Sequence, residues 1–411
     1  MLPYIGQHEW DQGMPTIRGS NGDDAMRGSG QSDEVWGLGG LDTFYWRPGM
    51  GNDRYHGGTG SERFDANPYT PGNPGGDRLF LEGSAGARIS LRSTEDGVAR
   101  IGSERVEFTG IERIHGTAGN DIVSAANASM NTVGGGKPGH GVSIFTGAGN
   151  DRIAGSRYDD VLDGGSGNDT INGGAGNDFI HSSTGNDRIN GGAGQDNIRW
   201  GNGDANHNPG HDTINGGAGD DLINIWIKRG DIWGHNEDVG IEGVTVTVDR
   251  VLSNGAFSGN ASTTIGGDAS LRFVNFELGW THSGNDVIDA SRARVSDSGD
   301  GVNFNTRWGH DRLTGSSGDD TLDGSMGKDT VRGGQGDDSI WIGDGNNGDG
   351  DRDVLIFRAG DDADTVYGFE TGRDVLDLGG RRYSATEVRD GTLLNFGGGD
   401  SVLLHDVFDF I

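Results

Sequence analysis

Residues 163–180 read DGGSGNDTINGGAGNDFI, nearly the same phrase twice. Started at Gly164 and at Gly173, each half is Gly-Gly-x-Gly-x-Asp-x-Ile-x. The aspartate of each copy marks a register that runs without a gap through Asp151, Asp160, Asp169, Asp178, Asp187 and Asp196, nine residues apart. A second run holds Asp311, Asp320, Asp329 and Asp338. A looser one opens the chain at Asp24, Asp33 and Asp42, and continues after a two-residue slip to Asp53 and Glu62. Asp212 and Asp221 form a short pair, while Asp121 and Asp286 stand alone. Two residues after the aspartates of the main runs comes an aliphatic residue: Ile153, Leu162, Ile171, Ile180, Ile189 and Ile198, then Leu313, Leu322, Val331 and Ile340.

A nine-residue period fits no helix face, and repeats of this kind override domain counts based on length. With one apolar residue per copy, the period predicts a three-residue strand followed by a six-residue turn. The turn reverses the chain, so copy n+2 stacks on copy n as a parallel strand ~4.8 Å away. Ile171 and Ile189 then share one sheet, Ile180 and Ile198 the other, around a core one side chain thick. Glycines permit positive-φ turns that expose backbone carbonyls, and the aspartate adds a charged oxygen to the same edge. Two stacked turns surround a point with oxygen ligands only, the shell that suits Ca²⁺; magnesium prefers a smaller, more hydrated one, and soft metals want Cys or His.

Composition agrees that something outside the chain assists folding. Of 411 residues 81 are Gly and 31% are hydrophobic, and the formal charge is −31. So much glycine loses backbone entropy that so little apolar surface hardly offsets. The acidic balance argues against nucleic acid and anionic membrane as partners and for cations. There is no cysteine, and no apolar run reaches the length of a membrane span. The opening MLPYIGQHEWDQGMPTIRG lacks a basic n-region followed by an apolar h-region, so a Sec signal peptide is not expected.

The five copies with every motif position filled carry a family resemblance. They are Gly164, Gly165, Gly167 and Asp169; Gly173, Gly174, Gly176 and Asp178; Gly191, Gly192, Gly194 and Asp196; Gly216, Gly217, Gly219 and Asp221; and Gly333, Gly334, Gly336 and Asp338. They resemble the RTX (hemolysin-type) calcium-binding nonapeptide. Similar β-rolls follow the catalytic domains of bacterial proteases and lipases, form accessory modules of alginate epimerases, and occur in surface-layer proteins. The resemblance implies an all-β parallel β-roll, or β-solenoid, multiple Ca²⁺ ions held by these glycine turns and by the register aspartates, and export by type I secretion machinery. Departures from the motif fall at Tyr158, which stands in place of the fourth-position glycine, at Glu62, and at the pair Ser182-Ser183.

Two segments interrupt the rolls and show strand-like alternation, as in ARISLRS and GVTVTVDRV. They are related: VEFTGIERIHGTAGNDIV (106–123) aligns without gaps on LRFVNFELGWTHSGNDVI (271–288), sharing Phe108/Phe273 and Glu112/Glu277. The reading is an internal duplication. It gives a degenerate N-terminal roll at 1–65, a first β insert at 66–115 and a central roll at 116–224. A second β insert at 225–281 and a second roll at 282–345 follow. The strand-rich segment 346–411 is expected to be a C-terminal β-cap, and it resembles the uncleaved secretion signal of type I substrates.

No His-Glu-x-x-His, Gly-x-Ser-x-Gly, Walker or dinucleotide motif occurs. With 63 acidic residues, carboxylate clusters of the kind a lyase or epimerase uses arise by chance. Trp233, Trp280 and Trp308, each two residues before a histidine, form a candidate ligand platform for sugar rings. The competing reading is that they cap a glycine-poor core. The function expected is a secreted, calcium-binding, non-catalytic protein associated with a cell surface, matrix or polysaccharide. The alternative is a polysaccharide lyase or epimerase on a β-helical scaffold.

Overall fold

A strand of three residues can bury only its middle side chain, and the chain is built from many such strands. The computed structural model describes residues 14–58, 76–130, 140–201, 208–226, 242–263, 268–296, 299–408 and 410. Every helix or strand among them is a β-strand. They fall into two compact units, Met1–Ile198 with Gly217–Gly219, and Arg199–Gly216 with Asp220–Ile411.

In the first unit, parallel strands follow the nonapeptide register. Arg152–Ala154 pairs with Thr170–Ala175 and that strand with Arg188–Ala193, bringing Ile153, Ile171 and Ile189 into line. On a separate ladder, His140–Phe145, Asp159–Asp163 and Phe179–His181 are neighbours, with Leu162 opposite Ile180. Consecutive copies thus alternate between two sheets, and copies eighteen residues apart pair. The aliphatic residues at the strand centres are fully buried, and the residues on either side are mostly not. The second unit repeats the scheme, with Leu313 opposite Val331 on one ladder and Leu322 opposite Ile340 on the other.

Both inserts are three-stranded antiparallel meanders laid into a ladder in reverse order. In the first unit they are Arg88–Leu91, Gly97–Ile101 and Glu104–Thr109. The last strand pairs in parallel with the preceding coil, Asp53–Gly58, and the first with the following coil, Ile122–Ser124. In the second unit Glu242–Val251, Phe257–Thr263 and Ala269–Phe276 do the same between His211–Ala218 and Asn285–Asp289. The duplication read from Phe108/Phe273 is therefore also a duplication of topology: both rings are fully buried on the last meander strand. A third meander, Ser384–Val388, Gly391–Gly397 and Asp400–His405, follows the same rule, its last strand parallel to Ala363–Tyr367.

Because parallel strands stack like residues on like, outward positions form ladders too. Tyr45, Phe80, His115 and Phe145 stack successively at ring-centroid distances of 5.4, 4.0 and 5.1 Å. Each ring covers its neighbour's face.

Candidate metal-binding turns

The strand ends deliver the motif aspartates to turns beside the turn of the neighbouring coil, all of them buried except Asp24, which is half-buried. There the carboxylates form backbone-linked columns. The N–H of Asp151 donates to Oδ1 of Asp169 (2.8 Å), and that of Asp169 to Oδ1 of Asp187 (2.7 Å). On the other edge the N–H of Asp160 donates to Asp178 and that of Asp178 to Asp196, both at 2.8 Å. The second unit repeats the arrangement through Asp286, Asp311 and Asp329, and through Asp320 and Asp338. The N-terminal coils do so between Asp24 and Asp42 and between Asp33 and Asp53.

One oxygen of each carboxylate is thereby used. The other, Oδ2 of Asp42, Asp169, Asp178, Asp329 and Asp338, is buried and receives no hydrogen bond. An anionic oxygen held like that is costly unless a cation meets it. Its surroundings are glycine backbone: a Cβ on Gly164 would lie 2.3 Å from Oδ2 of Asp169, and one on Gly173 would lie 2.2 Å from Oδ2 of Asp178. The second and fourth motif glycines take positive φ, 83° and 124° at Gly165 and Gly167, 116° and 110° at Gly174 and Gly176, 124° and 132° at Gly192 and Gly194. Gly217 and Gly219, and Gly334 and Gly336, are of the same kind. Each such turn offers carbonyls and one stripped carboxylate oxygen. That donor set suits a hard cation of high coordination number, and it fits Ca²⁺. Among the described residues no three His, Asp or Glu side chains gather as a metal cluster. Each open turn supplies one buried motif carboxylate.

Burial raises these carboxyls. Asp178 and Asp338 are pushed up to about 9, with the charges of Asp160 and Asp320 respectively adding to the burial, and Asp169 rises to about 7.

Other register residues are held differently. In the turns of Asp121, Asp160 and Asp320 both carboxylate oxygens accept hydrogen bonds from a Ser or Thr at the second motif position. Asp212 accepts the indole N–H of Trp200 at 2.7 Å. The columns also recruit carboxylates outside the motif. Asp42 donates to Asp77 and Asp77 to Glu112; Asp221 donates to Glu277; Asp329 donates to Asp353 and Asp353 to Asp374; Asp338 donates to Asp364. Asp77, Glu112, Asp353 and Asp374 each stand immediately before a short strand whose second residue is aliphatic, as in Asp77-Arg78-Leu79 and Asp353-Val354-Leu355. That acid-x-apolar triplet, without its glycines, was the available signal.

Of the aromatic candidates, Trp280 is half-buried with the Arg307 guanidinium 4.5 Å from its ring centre. Trp308 stands 5.6 Å from the His282 ring. Trp233 and Glu62 lie outside the described residues.

With this geometry in place, the comparison with known families becomes specific. Residues 16–45, 108–127, 145–180, 175–204, 208–224 and 306–340 match the family described as the RTX calcium-binding nonapeptide repeat (4 copies). No curated protein matches the chain. The matched stretches hold the glycine turns and the carboxylate columns, and the chain carries RTX calcium-binding repeats. Among the described residues no helix is long and apolar enough to cross a membrane.

Proposed function

We propose that this RTX-repeat chain is a secreted β-roll protein that folds on calcium outside the cell. There it serves as a non-catalytic binding or structural component of a surface, matrix or polysaccharide layer. One observation carries the reading: buried carboxylate oxygens without donors recur in register inside glycine turns. Asp42, Asp169, Asp178, Asp329 and Asp338, with the carbonyls of their turns, would hold the ions. Bound calcium would neutralise the columns and fix the turns, and the aliphatic core would then close on a chain that is otherwise too acidic to compact.

Where calcium is scarce the chain would stay unfolded and exportable. The third meander, Ser384–His405, is read as both the cap of the last roll and part of the export address. Removing residues 384–411 should leave the protein inside a producing cell equipped with a type I transporter. Secretion of the truncated chain at the full-length level would show that the address lies elsewhere.

Retention on polysaccharide is assigned to Trp280 and Trp308. Replacing both with Ala should abolish pull-down on a polysaccharide resin while leaving the calcium midpoint within about twofold, since neither indole is fully buried. Undiminished pull-down would remove the platform from the proposal.

A further inference from the structure

Two conformations recur among the motif turns. In the open one, the second and fourth positions have positive φ and Oδ2 of the aspartate meets no donor, as at Asp169, Asp178 and Asp338. The other conformation is closed. At Asp160 the carboxylate accepts the Ser156 N–H (2.5 Å), the Ser156 hydroxyl (2.8 Å) and the Val142 N–H (2.7 Å). At Asp320 the donors are the Ser316 N–H (2.6 Å), the Ser316 hydroxyl (2.8 Å) and the Val302 N–H (2.6 Å). At Asp121 they are the Thr117 N–H and hydroxyl, both 2.8 Å, and the Ala87 N–H (2.6 Å). The fourth residues of these turns, Tyr158, Gly318 and Gly119, do not take positive φ.

We propose that the turns of Asp121, Asp160 and Asp320 are metal-independent closures and not calcium half-sites, and that the second motif residue makes them so. A carboxylate offers about four lone-pair directions, and three are already met by donors. Those donors present positive dipole ends to the position a cation would need. The turn has also lost the two left-handed residues that shape the carbonyl cradle. The inference rests on calcium being the ion of the open turns.

Two comparisons within the chain isolate the cause. Ser325 also occupies a second position, yet its turn is open: Asp323, just before the first motif residue, takes both the Ser325 N–H and its hydroxyl at 2.9 Å. Ser325 then sits at φ 57°, Gly327 at 126°, and Oδ2 of Asp329 is without a donor. Serine therefore chooses between two carboxylates. Where Ala154 or Thr314 precedes the turn, its own motif aspartate is the acceptor. The second comparison is between the duplicated stretches. Thr117 of the first corresponds to His282 of the second, and the fourth residue changes with it: Gly284 is at 112°, whereas its counterpart Gly119 is not in that region.

The test is calcium titration of the full chain by calorimetry, with circular dichroism on the same samples. Asp178→Asn should lose roughly one ion and raise the calcium midpoint. Asp160→Asn should keep the wild-type stoichiometry. Ser316→Gly, and Ser156→Gly combined with Tyr158→Gly so that the fourth residue can take positive φ, should each gain about one ion by opening a turn. Asp323→Ala should free Ser325 to close on Asp329 and lose one. Equal losses in Asp160→Asn and Asp178→Asn, or no gain in the two glycine variants, would overturn the assignment even if Asp160→Asn failed to fold. A wild-type chain that takes up no calcium would instead defeat the reading of the open turns themselves.

Discussion

Stripped of calcium at neutral pH, the chain is expected to lose its β-sheet circular dichroism, and to recover much of it on mild acidification without any metal. The reason lies in the columns. Asp151, Asp169 and Asp187 stand one above another at the ~4.8 Å strand spacing, and so do Asp160, Asp178 and Asp196. Their charges are opposed only by a core one side chain thick. Burial, then the charge of Asp160, pushes Asp178 up to about 9; burial pushes Asp169 up to about 7. A carboxyl raised in the folded state favours folding fully below its ordinary value of 3.8. It loses that contribution as the pH climbs through the folded value. The metal-free fold should therefore weaken progressively from about pH 4 to about pH 9, as unfolding releases protons that the folded columns must keep. Calcium would remove the difficulty by replacing those protons with an ion that stays at neutral pH. Individual sites should be weak, on the order of 10⁻⁴–10⁻³ M. Their joint transition should still be steep, because each filled turn orders the next coil. Spectra with excess chelator at pH 5 and pH 7.5 decide it. A β spectrum that persists unchanged at pH 7.5 would sink the mechanism.

What the sequence could disclose follows from which contacts are periodic. The nonapeptide register places Ile171 opposite Ile189 and Leu162 opposite Ile180 because a strict step of eighteen residues admits no other stacking. The inserts showed their strands through alternation, and their kinship through Phe108/Phe273 and Glu112/Glu277. Their reversed order within the ladder was hidden, since a meander reads the same from either end. Glu112 and Glu277 were visible as a matched pair, but their place in the carboxylate columns was not. That role depends on a coil step of thirty-five residues at Asp77–Glu112 and of fifty-six at Asp221–Glu277, which no fixed period reveals. Tyr158 looked like a flaw in the motif. It sits in a closed turn, whose fourth residue needs no left-handed backbone, so a tyrosine is tolerated there at no strain. The Ser182-Ser183 departure has the opposite outcome: Ser183 takes φ 62° and keeps the positive-φ conformation.

Replacing Gly167 with Ala should cost more stability than any exposed-glycine substitution in the chain, about 3 kcal/mol or more. The fourth-position glycines stack directly: a Cβ on Gly167 would lie 1.7 Å from the Gly149 carbonyl oxygen, and one on Gly185 would lie 1.9 Å from that of Gly167. Neither neighbour is the movable end of a side chain. Both are turn backbone, tied by hydrogen bonds from Gly149 N–H to Ser166 O (2.8 Å) and from Gly167 N–H to Thr184 O (2.9 Å). Gly167 also sits at φ 124°, where an alanine is strained before any contact is considered. Relief would require the coils to part along that edge, and the edge is where Oδ2 of Asp169 lies buried without a donor. Lost stability should therefore appear together with a raised calcium midpoint. Gly102 supplies the control, since its φ is 63° but nothing lies within 4 Å of its added Cβ. Gly102→Ala should cost only about 1 kcal/mol, the backbone contribution alone, and leave the calcium midpoint where it was. Urea unfolding in saturating calcium, with calcium titrations of both variants, separates the two. Similar losses in Gly167→Ala and Gly102→Ala would mean that the turns are not packed backbone against backbone, and that the columns of oxygen they hold are not fixed in place.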